Sequence, residues 1–134
     1  RGITIIRAAL NTTAEATAVA SNLADKVDAM YFPNDNTAMA AVKSIVAVGL
    51  KYQRPVFAND SASVEQGAVA AVAYDRYQMG KTTADMIIKI LKGKDVSSIP
   101  IVYDAPTQVV INRASSQALK VTVPVQLEKV VWVE

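Results

Sequence analysis

Apolar residues in this chain change their spacing again and again, from runs of neighbours to repeats of three and four. Residues 3–10, ITIIRAAL, are β-branched and apolar enough for a buried strand, and the NTTAE that follows sets Thr12 and Glu15 at capping-box spacing, which predicts a helix start. Ala16, Val19, Ala20, Leu23 and Val27 then recur on one stripe, giving a helix over about residues 13–26. VDAMYF is a second strand. Met39, Val42, Val46, Gly49 and Leu50 form a second helical stripe, and RPVFAND is a third strand with its Pro at the start, where a missing donor is tolerated. SASVEQG is a turn or short helical turn, and AVAAVAYD is a fourth strand. Met79, Thr83, Met86, Ile87, Ile90 and Leu91 mark a third long helix that Gly93 stops. The methionines Met30, Met39, Met79 and Met86 fall at positions expected to pack in the core.

Strands that are apolar throughout, alternating with helices, predict an α/β fold: a doubly wound, mostly parallel, Rossmann-like sheet flanked by helices on both faces. The alternation holds over residues 1–98, the expected lobe. It breaks in residues 99–134, which carry three prolines, two extended runs and one short helix near RASSQAL. That tail is expected to stand apart from the lobe and to pack elsewhere.

Ligands of such sheets sit beyond the carboxyl ends of the strands. NDNT, NDS and YDRYQ each follow a strand, so Asn34, Asp35, Asn36, Thr37, Asn59, Asp60, Ser61, Asp75, Tyr77 and Gln78 are expected along one rim. Carboxylates accept charge-assisted bonds, carboxamides donate and accept at once, and aromatic faces pack on apolar parts of a ligand, which suits a small polar solute. The same residue types cap helices, and one of Asn36 or Thr37 is expected to cap the helix that starts near Ala38.

Composition narrows the chemistry. Zero His and zero Cys remove the usual nucleophile–base pairs and structural zinc sites, so no catalytic residue, metal or cofactor is expected. Fourteen basic residues against twelve acidic, spread along the chain, leave no electrostatic footprint for nucleic acid. No apolar run approaches the roughly 20 residues of a membrane span. MGKTTAD contains GKT without the upstream Gly of a phosphate loop, and is read as a helix start.

The order VDAMYFPNDNT, PVFANDSASVEQGAVAAVAYDRYQMGKTTADMIIKILKGKDVSSIP and VVINRASSQAL resembles the C-terminal lobe of extracytoplasmic solute-binding proteins of bacterial ABC transporters. It is most similar to the branch with type I periplasmic-binding-protein fold that includes tryptophan- and tyrosine-associated binding proteins, over about residues 1–124. The resemblance implies a solute held between two α/β lobes, a permease that reads the closed form, and an extracytoplasmic location. It also implies cleft-side positions for Asp35, Asn36, Asn59, Asp60 and Asp75. A first lobe outside this chain is then an expected partner, and the chain alone is expected either to self-associate through its apolar tail, from about residue 100 to 134, or to leave that segment mobile. The other classes open to this sequence are the ligand-sensing domain of a bacterial transcription regulator and an enzyme resting on the rim aspartates.

Overall fold

The computed structural model describes residues 2–103, 105–127 and 129–134. A 3-10 turn at Thr13–Glu15 leads into α1 (Ala16–Ala24), followed by β1 (Met30–Tyr31), α2 (Asn36–Ala40), α3 (Val42–Tyr52), β2 (Val56–Ala58), α4 (Ser61–Glu65) and β3 (Ala70–Tyr74). After α5 (Arg76–Leu91) come β4 (Thr107–Asn112), α6 (Arg113–Ala118) and β5 (Val130–Val133). The five strands form one sheet in the order β1-β2-β3-β4-β5. Pairing is parallel except between β3 and β4, which run antiparallel. The α/β class and the mostly parallel sheet are those expected from the alternating periods.

The core lies on one face of this sheet. Met30, Val56, Ala58, Ala71, Ala73 and Val110 form one buried cluster with the apolar stripes of α1 and α3. Ala16, Ala20 and Ala24, spaced four apart, are all buried and let α1 approach α3 closely. Where α3 passes β2, the approach is tighter still: a Cβ on Gly49 would lie 2.5 Å from Val56 Cγ2 and 2.7 Å from the carbonyl oxygen of Arg54. The Arg54 guanidinium in turn donates to the carbonyl of Ala24 at 3.2 Å, tying the α3–β2 connection to the end of α1.

Several elements depart from expectation. Residues 3–10 form no strand; Ile3 and Ile5 are 80% and 76% exposed, and Leu10 alone of the apolar run packs on the core. Strand propensity reflects packing on a neighbour, and this segment has none. The second face of the sheet is bare around Tyr31, Val72 and Tyr74, which are exposed. The cause is α5, which was expected to bury its stripe against the lobe, yet none of its residues is buried and Met79, Ile87 and Leu91 are exposed. Met79 therefore does not pack in the core, and Met86 is half-buried. GKT lies inside α5, whose first residue is Arg76. Gly93, at φ 88°, does end the helix in the left-handed conformation that glycine favours.

The largest difference concerns residues 99–134. Thr107–Ile111 pairs residue for residue with Ala70–Tyr74, β5 extends the sheet, and Val110 and Ile111 are buried. This part of the tail completes the lobe rather than leaving it. Its antiparallel direction broke the βα alternation and hid the pairing.

Candidate functional site

The three parallel strands end side by side, and each delivers an aspartate to the same rim. Asp35 follows β1, Asp60 follows β2 and Asp75 follows β3 by one residue. Neighbouring strands lie about 4.8 Å apart, so the rim from β1 to β3 is about 10 Å wide, the scale of a small solute. β1, β2 and β3 are adjacent and parallel, so the loops that carry Asp35, Asn36, Asp60 and Asp75 all leave the same edge of the sheet.

All three aspartates also cap helices. Asp35 Oδ1 accepts from the Ala38 backbone N–H at 2.9 Å, so the cap of α2 is Asp35, and Asn36 and Thr37 lie in the first turn behind it. The helix starts two residues earlier than its apolar stripe suggested. Asp75 Oδ1 accepts from the Gln78 N–H at 3.0 Å and starts α5. Asp60 is held hardest: Oδ1 accepts from the Ser63 N–H at 2.8 Å and Oδ2 from the Ser63 hydroxyl at 2.6 Å, with only 6% of the residue exposed. Such donors satisfy a buried carboxylate and fix its direction.

What remains for a ligand is therefore unequal among the three. Asp35 Oδ2 and Asp75 Oδ2 make no hydrogen bond among the described residues, and Asp35 is exposed and Asp75 half-buried. Asn59 sits between Ala58 and Asp60 with its Oδ1 buried and without a partner among the described residues, a group that costs free energy until a donor reaches it. Asn34 and Asn36 are exposed on the loop after β1, and Thr37 is half-buried. Tyr77 is exposed in the first turn of α5, with the Lys81 ammonium 5.8 Å from its ring centroid. Among the described residues no group of three His, Cys, Asp or Glu could hold a metal ion.

Two supporting groups escaped the sequence reading. Ser63 locks Asp60, and Asn112 joins β4 to α4: its Nδ2 donates to the Val64 carbonyl at 3.0 Å while its Oδ1 accepts from the Ser115 N–H at 2.8 Å. The Ser115 hydroxyl donates to the Gly67 carbonyl at 2.8 Å. The signal was present as Asp60-x-x-Ser63 and Asn112-x-x-Ser115, an acceptor three residues before a serine at a helix start.

Residues 1–131 match the profile of the family described as ABC transporter substrate binding protein. The chain belongs to that family. It is 28% identical over 115 residues to the tyrosine-binding protein of Clostridioides difficile strain R20291, a match that takes in 86% of this chain and 33% of that protein. Among solved structures it is similar to the ligand-free, open form of a substrate-binding protein with adhesive properties from Clostridium difficile, with a TM-score of 0.86 and 28% identity over 99% of this chain. A domain from Streptococcus pneumoniae in complex with L-Trp matches with a TM-score of 0.76 and 28% identity over 97% of this chain. A conserved domain protein of Vibrio cholerae matches with a TM-score of 0.74 and 31% identity over 92% of this chain. The chain spans 45%, 45% and 42% of those three structures respectively, less than half of each.

Proposed function

We propose that this chain is one wall of the solute cleft of an extracytoplasmic ABC-transporter binding protein, and that the solute is an amino acid with an aromatic side chain. The observation that carries the reading is the rim: three adjacent strand ends present Asp35, Asp60 and Asp75 within a span fitted to a small molecule. The names of two relatives, one tyrosine-binding and one in complex with L-Trp, support the solute class.

In this reading Asp35 Oδ2 and Asp75 Oδ2 receive separate donors of the solute, one of them its ammonium. Asn59 Oδ1 accepts a ligand donor, with Asn34, Asn36 and Thr37 as further polar contacts, while Tyr77 offers an aromatic face. Asp60 contributes as a fixed negative charge. The chemistry is binding without turnover. A second lobe supplies the opposite wall, and the exposed stripe of α5, with the apolar groove it forms against Val96, Ile99, Pro100, Val102 and Pro106, is the surface of this chain best suited to meet it. The closed pair is then presented to a membrane permease.

Calorimetric titration of the full-length protein with L-Trp and L-Tyr tests this. Asp35→Asn and Asp75→Asn should each weaken binding about 10- to 100-fold, the worth of a charge-assisted hydrogen bond of ~1.5–3 kcal/mol. Unchanged affinity in both variants, or no heat with either amino acid, would sink the assignment.

A further inference from the structure

We infer that Asp75 is a specificity-determining residue of the cleft proposed above, on which reading this inference rests: its free oxygen takes a hydrogen-bond donor at the far end of the solute's aromatic side chain, so that tryptophan and tyrosine are held and phenylalanine is refused. Asp35 stands past the end of β1 and Asp75 past the end of β3, with β2 between them. Two strand spacings put the pair about 10 Å apart across the rim. A single ammonium that bonds two carboxylates holds their oxygens within about 6 Å, twice the length of a charge-assisted hydrogen bond. Each carboxylate is also turned to its own helix, Asp35 by the Ala38 N–H and Asp75 by the Gln78 N–H, so neither swings across β2 towards the other. The cavity that Asp35 lines is walled by Ala8, Leu10, Ala16, Val19 and residues of β1, away from β3. One amino group therefore serves one aspartate, and the other waits for a second donor.

The two ends of the rim differ in what surrounds the aspartate. Beside Asp35 stand Asn34, Asn36 and Thr37, whose amide and hydroxyl groups can donate to a carboxylate. The ammonium and the carboxylate of an amino acid both find partners there. Beside Asp75 stand two aromatic side chains, Tyr74 at the end of β3 and Tyr77 in the first turn of α5, 60% and 74% exposed. A solute ring packs on such faces. The amino-acid head thus belongs over β1 and the ring over β3. At that end Asp75 Oδ2 is the free acceptor, on a half-buried residue and with no hydrogen bond among the described residues. An ionised carboxylate only accepts, so it takes the indole N–H of tryptophan or the phenol O–H of tyrosine and finds no such hydrogen on phenylalanine. A site built to bond a polar hydrogen penalises the analogue that lacks it, because its own acceptor loses water and stays unpaired.

The test is calorimetric titration of the full-length protein with L-Trp, L-Tyr and L-Phe. Trp and Tyr should bind the unaltered protein about 10- to 100-fold more tightly than Phe, the worth of one hydrogen bond to a charged group. In Asp75→Asn the carboxamide oxygen still caps α5 while Nδ2, a donor, replaces the free oxygen, so the ratio of Trp to Phe affinity should lose that factor. In Asp35→Asn all three affinities should fall and the ratio should persist. A ratio that survives in Asp75→Asn would overturn the proposal, and its collapse in Asp35→Asn instead would turn the solute end for end. Equal affinity of the unaltered protein for all three would leave the aromatic amino-acid reading standing and remove the role of Asp75. No heat with any of the three would remove both.

Discussion

Asn112 Nδ2 donates to the carbonyl of Val64, 48 positions earlier in the chain, and this buried bond fastens β4 to the helix that Asp60 caps. Asn112→Ala leaves the Val64 carbonyl and the Ser115 N–H without partners, and unfolding stability should fall by about 2–3 kcal/mol. Asn112→Asp keeps the acceptor for Ser115 and turns the other bond into a repulsion between oxygens, so it should be no milder. Urea denaturation of the three proteins checks this, and an Asn112→Ala loss below about 0.5 kcal/mol would mean that water replaces the bond.

Asp60 is expected to act on stability and binding separately. Ser63→Ala removes one hydroxyl donor and should lower stability by about 1 kcal/mol, whereas Asp60→Ala also removes the helix cap and should cost about 2–3 kcal/mol. If Asp60 serves only as the cap, solute affinity measured well below the melting temperature stays constant in both variants. A loss of affinity in Asp60→Ala beyond that of Ser63→Ala assigns its charge to the cleft.

Gly49→Ala tests the contact between α3 and β2. In most exposed helices the change from Gly to Ala stabilises by about 0.5–1 kcal/mol. Here the new methyl meets Val56 Cγ2 and the Arg54 carbonyl, so the sign should reverse, to a loss of about 1–3 kcal/mol. A raised melting temperature would show that α3 can shift away at no cost.

The exposed stripe of α5 should make the isolated chain self-associate. Ile87 and Ile90 are 51% and 40% exposed, and apolar surface of this kind finds another copy when its proper neighbour is absent. Light scattering should show a mass that rises with concentration, reduced by the double substitution Ile87→Glu, Ile90→Glu. A strict monomer at high concentration would refute this.

What the sequence made legible was local. Ala16, Ala20 and Ala24 declare their buried helix face by period, and Asp35, Asp60 and Asp75 declare their rim by following apolar runs. Partners were not legible. Residues 3–10 carry a strong strand signal, yet pairing depends on a neighbour that propensity does not specify. The stripe of α5 has the spacing of a core helix, and spacing does not say which core. β4 was visible as an extended run, but its union with β3 joins positions more than thirty apart and rests on a direction that no periodicity encodes. Nothing in the spacing singled out Asn112, because its role lies in a bond across the fold.

Because β4 runs antiparallel to β3, the chain departs the sheet after Tyr74 and re-enters at Thr107, directly opposite on the neighbouring strand, with the Asp75 N–H donating to the Pro106 carbonyl at 2.8 Å. Residues 75–106 are thus a cassette spliced into what would otherwise be a plain hairpin. Facing residues of antiparallel strands lie about 5 Å apart, a gap that an Asn-Gly turn spans. The cassette could be cut back to Asp75-Asn-Gly-Pro106, which keeps the hydrogen-bonded pair that a two-residue turn closes, or exchanged for that of a relative, without altering the register of the sheet.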